Sequence, residues 1–236
     1  MVLKVKSIHH DGKTKCIYNT DVEEQVIIEF KDTESKFDGE KKAKFKNKSV
    51  LKNTINNILF EFLESYNIPT HYKRKIDDNQ ILVKKLRMIP ICVLIRNVAA
   101  GTLCDRFKIE KGTILKYPII EYYLKDDKLN NPMILESHAY AFEYAAPEEM
   151  KYISRMTSKI NAVLKSFLER RKIKLIDYKL EFGRYKNNLY LADEITPDTC
   201  RLWDIANENL DDKSFNMENN KAEQSYQEIC KRLTGN

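Results

Sequence analysis

From Ile176 to Phe182 the chain alternates apolar or phenolic side chains with charged ones, Ile-Asp-Tyr-Lys-Leu-Glu-Phe. A strand repeats every two residues, so Asp177, Lys179 and Glu181 share one face while Ile176, Tyr178, Leu180 and Phe182 share the other. A second strand-like run, Leu189 to Ile195, follows the polar break Lys186-Asn187-Asn188. A three-residue hairpin loop with Asn188 left-handed would set Glu181 directly opposite Asp193. Like charges placed opposite one another weaken an antiparallel pair, so the two carboxylates are expected to hold a cation, and oxygen-only ligands suit magnesium. An edge hairpin with solvated charges is the plain alternative.

The rest of the 236 residues must supply a scaffold for that hairpin. Length and a 42% hydrophobic content allow one large domain or two small ones. The five cysteines are widely spaced with no Cys-x-x-Cys pair, so neither a disulfide framework nor a zinc site is expected. No apolar run approaches a bilayer span, and a reducing, cytoplasmic setting without a membrane is the simplest expectation. The net charge of +6 is spread along the chain, a weak argument for nucleic acid. Its one local cluster, Lys41 to Lys48 with five lysines, reads as a solvated loop leading into a helix.

An α+β organisation follows from the order of patterns. Residues Val2 to Ile8, Lys15 to Tyr18 and Gln25 to Phe30 read as an antiparallel meander. Leu51, Ile55, Ile58, Leu59, Phe62, Leu63 and Tyr66 then recur at helical spacing until Asn67-Ile68-Pro69 stops them. Strands Thr70 to Ile76 and Gln80 to Leu86 flank the turn Asp77-Asp78-Asn79. A first domain, residues 1–88, is expected to end here, with a larger α+β domain over 89–236. In that second part Ile91 to Arg96 is a strand, Asn97 to Asp105 a turn, Thr113 to Tyr123 strand-like and Leu124 to Ser137 a loop. Pro147, Glu148 and Glu149 open a long helix with Met150, Ile153, Met156, Ile160, Val163, Leu164 and Phe167 on one stripe. Lys221 to Leu233 reads as a last helix.

Two further segments carry anion chemistry. Gly12-Lys13-Thr14-Lys15 lies between two strands, where backbone amides and two ammonium groups can cover a polyphosphate, although an ordinary hairpin turn has the same composition. It is not a Walker loop, which would open a helix. Arg96 at a strand end, followed by Asn97 and Ala99-Ala100-Gly101-Thr102, brings a guanidinium, a hydroxyl and exposed amides into a short span, and Arg201 offers a second clamp. The four histidines show no ligand spacing, and no nucleophile elbow occurs. Phosphate activation of a substrate, with the protein supplying position and charge, fits this inventory.

Together, Gly12-Lys13-Thr14-Lys15, Leu82-Val83-Lys84-Lys85-Leu86, Val98-Ala99-Ala100-Gly101-Thr102, Asp177 to Gly183 and Asp193 to Trp203 resemble the phosphoribosylaminoimidazole-succinocarboxamide synthase, or SAICAR synthetase, family. The resemblance implies an ATP- and magnesium-dependent ligase of purine biosynthesis that joins carboxyaminoimidazole ribotide to L-aspartate through an acyl phosphate, working as a homodimer. It also implies ATP phosphates at Gly12, Lys13, Thr14 and Lys15, adenine near Lys84 and Met88, and magnesium on Glu181 and Asp193. Ribotide phosphate would lie on Arg96, Thr102 and Arg201, with Asp38, Asp177 and Lys179 facing the imidazole or the reacting carboxylate. Asn130-Asn131-Pro132 departs from the family's usual His-Asp before proline, and Thr102 replaces a usual serine while keeping the hydroxyl. An ATP-dependent small-molecule kinase would use the same lysine turn and carboxylates, and a nucleic-acid binder is a third possibility.

Overall fold

The structure, a computed structural model, describes residues 4–205, 215 and 221–235. Val2 and Leu3 of the expected first strand, and most of the polar segment before Lys221, lie outside the described residues. The chain begins with β1 (Val5–Asp11), β2 (Lys15–Thr20) and β3 (Gln25–Phe30), followed by a small hairpin of β4 (Ser35–Phe37) and β5 (Glu40–Lys42). Next come α1 (Lys48–Ser65), β6 (Tyr72–Asp77) and β7 (Gln80–Lys84). The five-stranded antiparallel sheet they build has the order β1-β2-β3-β7-β6.

A second sheet starts with β8 (Arg87–Val98), followed by α2 (Thr102–Phe107), β9 (Ile114–Leu124), β10 (Met133–Ile134), α3 (Glu136–Ala141) and α4 (Pro147–Glu169). It is completed by β11 (Ile173–Tyr185), β12 (Asn188–Ala192) and β13 (Cys200–Asp204), and α5 (Ala222–Thr234) ends the chain. Its strand order is β10-β9-β8-β11-β12, with β13 paired to β11 as well. The long strand β11 is therefore central: β8 runs along one edge, while β13 and then β12 share the other. This is the expected α+β architecture of two antiparallel sheets.

Burial of apolar side chains holds these layers together, each fully buried Leu, Ile or Phe contributing about 1.5–3 kcal/mol. Val26, Ile28, Ile81 and Val83 of the first sheet meet Ile55, Leu59 and Leu63 of α1 in the same cluster that holds Val93, Ile95, Tyr178 and Leu180 of the second. Helix α4 supplies Met150, Ile153, Ile160 and Leu164 to it, as the stripe indicated. Pro147 stands at the first turn of α4, and Glu149 Oε2 accepts the Ala146 amide at 2.8 Å, satisfying one of the free donors at a helix start.

Several expectations need correction. Ile176 does not join Tyr178, Leu180 and Phe182; a register shift between Leu175 and Asp177 sends it into a smaller cluster with Val98, Ala100 and Trp203. The lysine run is not wholly a solvated patch, because Lys42 and Lys48 are buried. Lys48 Nζ is satisfied by the carbonyls of Thr33 at 3.0 Å and Ala43 at 2.9 Å and by Asp198 at 2.9 Å. The nominally polar side of α1 is likewise inside: Lys52, Asn53, Asn56 and Asn57 are all buried. The expected turn from Asn97 is instead the end of β8 followed by α2, and the expected loop 124–137 carries β10.

Candidate active site

Strand β11 places its polar face at the site. Asp177 stands opposite Arg96 on β8 and opposite Arg201 on β13, so cross-strand register alone puts one carboxylate between two guanidinium groups. Asp177 Oδ2 accepts from Arg96 at 3.1 Å and from Arg201 at 2.5 Å, while Oδ1 is buried without a hydrogen-bond partner. Burial pushes the Asp177 carboxyl up to about 7, against the pull of the two arginines. Arg96 is fully buried, and its Nε also donates to Glu121 at 2.9 Å.

The tip of the β4–β5 hairpin closes over these arginines. Asp38 and Gly39 take positive φ values of 45° and 86°, a two-residue Asp-Gly turn. The Asp38 carboxylate accepts from Arg96 at 3.0 and 3.3 Å, from Arg201 at 3.2 Å, and from the amide and hydroxyl of Thr102 at 3.2 and 2.5 Å. Glu40 takes the remaining Arg201 Nε at 2.9 Å. Phe37 anchors the hairpin, its ring facing the cationic ends of Lys42, Lys179 and Arg201 at 5.9, 5.4 and 5.5 Å. Gly101 is required here: at φ 52° and ψ −139°, a Cβ would collide with the Asp38 carboxylate and lie 2.6 Å from an Arg201 nitrogen. Arg96, Thr102 and Arg201 thus converge as expected, with Asp38 among them. Asn97 does not join them; it points away and exchanges hydrogen bonds with Asn161 at 2.9 and 2.8 Å.

Burial opposes ionisation of Asp38, but hydrogen bonds from Arg96 and Thr102 and the nearby guanidinium charges bring its pKa down to about 2 from 3.8. A lowered carboxyl pKa adds stability above the unfolded value that fades as pH falls toward the folded one. The stability difference between the wild-type protein and Asp38→Asn is therefore expected to be on the order of 1–2 kcal/mol above about pH 4 and to shrink between about pH 4 and 2. Urea titrations across that range would show it, and a difference independent of pH would contradict the assignment.

Two strand positions further along, the face carries Lys179, and after it Glu181. Here the register differs from expectation. The hairpin loop is Lys186-Asn187 with Lys186 at φ 54°, Tyr185 pairs with Asn188, and Glu181 faces Ala192 rather than Asp193. Strand β12 stops at Ala192, and Asp193, at φ 65°, turns out of the strand. Glu181 and Asp193 are still neighbours: burial first, and then the Asp193 charge, raise the Glu181 pKa. Lys15 pairs with Asp193 and, at 3.4 Å, with Glu194; Lys125 pairs with Glu181 at 2.5 Å. Burial works against the charges of Asp193 and Lys15, but their mutual attraction and the surrounding opposite charges lower the first pKa and raise the second. Lys125 is the residue sequence reasoning missed; in a loop-like segment it offered no pattern.

The Gly12–Lys15 turn is the expected hairpin, with the Gly12 amide donating to the Lys15 carbonyl at 3.0 Å and Thr14 in its middle. Lys13 is exposed on it and Lys15 points to the carboxylates. Lys84 donates to the Thr70 carbonyl at 2.8 Å and lies 5.0 Å from the Tyr190 ring centroid, while Met88 is 40% exposed. Gly183 lies against Leu86 and Met88, whose Sδ would be 3.1 Å from an added Cβ.

Among the described residues no group of three or more His, Cys, Asp or Glu side chains could hold a metal alone. Magnesium does not need one: it commonly takes one or two carboxylates and completes its shell with water and phosphate oxygens. Glu181 and Asp193, with lysine ammonium groups already drawn to them, fit that demand.

Behind the site runs a buried row of alternating charges. Lys52 meets Glu194 at 3.2 Å and Asp198 at 3.1 Å, and Tyr226 of α5 donates to Asp198 at 2.6 Å. Asn56 of α1 accepts the Ile195 amide at 2.9 Å. These contacts fix the loop after β12, and with it Asp193.

The SAICAR synthetase family model matches residues 8–233. The phosphoribosylaminoimidazole-succinocarboxamide synthase of Clostridium kluyveri is 45% identical over 235 residues, covering 99% of this chain and all of its own. That of Clostridium acetobutylicum is 43% identical over 234 residues, with the same coverage. Among solved structures, the synthase of Ehrlichia chaffeensis superposes with a TM-score of 0.89 at 38% identity, covering 97% of this chain and 98% of that one. A SAICAR synthetase in complex with ADP superposes at 0.88, also 38% identical, over 96% and 97%. With strand order, site geometry and near-complete coverage agreeing, the chain belongs to the SAICAR synthetase family.

Proposed function

We infer that the protein is an ATP-dependent ligase of purine biosynthesis, joining carboxyaminoimidazole ribotide to L-aspartate and releasing SAICAR, ADP and phosphate. The observation that carries this reading is the single polar face of β11, which ties the paired arginines Arg96 and Arg201 at Asp177 to the carboxylate Glu181 and its neighbour Asp193. A carboxylate is a poor acyl donor at neutral pH, and phosphorylating it creates a leaving group that the aspartate amine can displace.

In this reading Gly12, Lys13, Thr14 and Lys15 hold the triphosphate from the first sheet, and Lys84 and Met88 border the adenine. Glu181 and Asp193 hold magnesium, which when bound would offset charge on the transferred phosphoryl group. Arg96, Thr102 and Arg201 take the ribotide phosphate, in the place where the Asp38 carboxylate now satisfies the same donors. Lys179 lies between the two ends and would steady the reacting carboxylate, while Asp177 orients both arginines and Asp38 faces the substrate from the hairpin. We propose two domains over residues 1–88 and 89–236 with the nucleotide between them, the first strand of the second sheet already starting at Arg87, just ahead of that boundary. A cytoplasmic homodimer completes the proposal, supported by the family; among the described residues no helix is long and apolar enough to cross a membrane.

The test is product stoichiometry. ADP release should require both the ribotide and aspartate, and label from the substrate carboxylate oxygen should appear in phosphate; steady ADP formation with a phosphorylated product would instead mean a kinase. Arg201→Ala should raise the KM for the ribotide by about tenfold or more with a smaller change in kcat, the signature of lost ground-state binding. An unchanged KM would remove Arg201 from the phosphate site.

A further inference from the structure

Four ammonium groups, Lys15, Lys48, Lys52 and Lys125, stand against four carboxylates: Lys15, Lys48 and Lys52 share Asp193, Glu194 and Asp198, and Lys125 pairs with Glu181, which feels the charges of Asp193 and Lys15. Lys48 and Lys52 are fully buried and tied to Glu194 and Asp198. The other two are different. Lys15 and Lys125 lie on the open side, their side chains 18% and 41% exposed, and they engage the two carboxylates assigned to the metal.

We propose that Lys125, with Lys15, holds the place of the metal while the nucleotide is absent and becomes a phosphate ligand when it binds, so that Lys125 is a substrate-contacting residue of the site. The inference rests on the magnesium and ATP reading above. Two partly buried carboxylates, 13% and 22% exposed, repel each other unless positive charge lies between them, and here the ammonium groups supply it. A bare divalent ion would have to displace both and leave them among other cations. Triphosphate oxygens give them new partners, and the lysine stem is long and flexible enough to follow. Once Lys15 and Lys125 have moved, Glu181 and Asp193 together carry the charge that one divalent ion neutralises, while the Lys48, Lys52, Glu194 and Asp198 group stays balanced. Metal and nucleotide therefore enter as a unit, and metal alone is excluded.

Calorimetric titration separates these states without turnover. The wild-type protein should show no saturable binding of magnesium alone at millimolar concentrations, and clear binding of the β,γ-imido analogue of ATP with magnesium. Lys125→Met should weaken the magnesium-analogue complex by about tenfold or more and, by leaving Glu181 unpaired, make binding of magnesium alone measurable and at least about tenfold tighter than in the wild type. Lys125→Arg, which keeps the charge, should restore exclusion of the bare ion. A merely structural lysine would not produce opposite changes for the metal and its nucleotide complex. Wild-type affinity for the magnesium-analogue complex in Lys125→Met, or wild-type binding of magnesium alone as tight as with the analogue, would overturn the proposal. The underlying metal assignment is checked separately by Glu181→Gln: if analogue binding keeps its full magnesium dependence there, the metal reading itself has failed.

Discussion

Replacing Asp193 by asparagine should lower kcat by about a thousandfold or more, roughly 4 kcal/mol in barrier, while leaving the fold in place. The substitution is nearly neutral for the backbone because Asp193 has φ 65°, and asparagine accepts that left-handed conformation as readily as aspartate. What changes is charge. An amide oxygen offers magnesium no negative charge, and Lys15 loses the carboxylate it pairs with, the contact that in the proposed reading would position it beside the phosphates. Glu181→Gln should have a comparable effect from the other side of the site. Steady-state rates beside a thermal melt are sufficient: near-native turnover in either variant would refute the metal platform, and gross loss of the melt would show that the pair is needed for folding instead.

Arg96→Met should cost stability in addition to disturbing the proposed ribotide site. Arg96 is fully buried and donates to Glu121, Asp177, Asp38 and Thr102, so its removal strips partners from three acidic groups whose side chains are less than a tenth exposed. Breaking a buried ion pair from one side costs about 3–5 kcal/mol, because the remaining charge stays desolvated. Urea unfolding would measure the loss, and a change below about 1 kcal/mol would mean that solvent reaches these carboxylates. Adding Asp177→Asn to Arg96→Met should recover part of it, since the two side chains are directly paired and their effects cannot be additive.

The parts of this fold that could be read from sequence are those set by local pattern. The strand Gln25–Phe30 has the expected limits, and the helix opened by Pro147 begins where its first-turn signals place it. The shared face of Asp177, Lys179 and Glu181 needs only the two-residue period. The exact partner of Glu181 does not follow from that period. Hairpin register depends on which residue goes left-handed, and Lys186 does so although Asn187 and Asn188 are the conventional candidates. Asp193 reaches the site by leaving the strand, a step that no periodicity encodes. Lys48 and Lys52 look like solvent-facing residues because helical polarity usually marks the wet side; here that side meets a second set of charges, Glu194 and Asp198, from nearly 150 positions away. Lys125 belongs to the same class of long-range pairing. Its segment has no repeat, and only tertiary contact with Glu181 reveals it.

Strand β11 also acts as a ruler. Asp177 and Glu181 are four residues apart on one strand, a separation of about 13 Å that hydrogen bonds to neighbours on both edges keep from stretching or shortening. In the proposed reading, the distance between the ribotide phosphate at the arginines and the metal-holding carboxylate Glu181 would thus be dictated by rigid backbone rather than by movable loops. An analogue lacking the ribose spacer could occupy either end of the site, but it could not span both, and discrimination by molecular length would survive even where every individual contact was preserved.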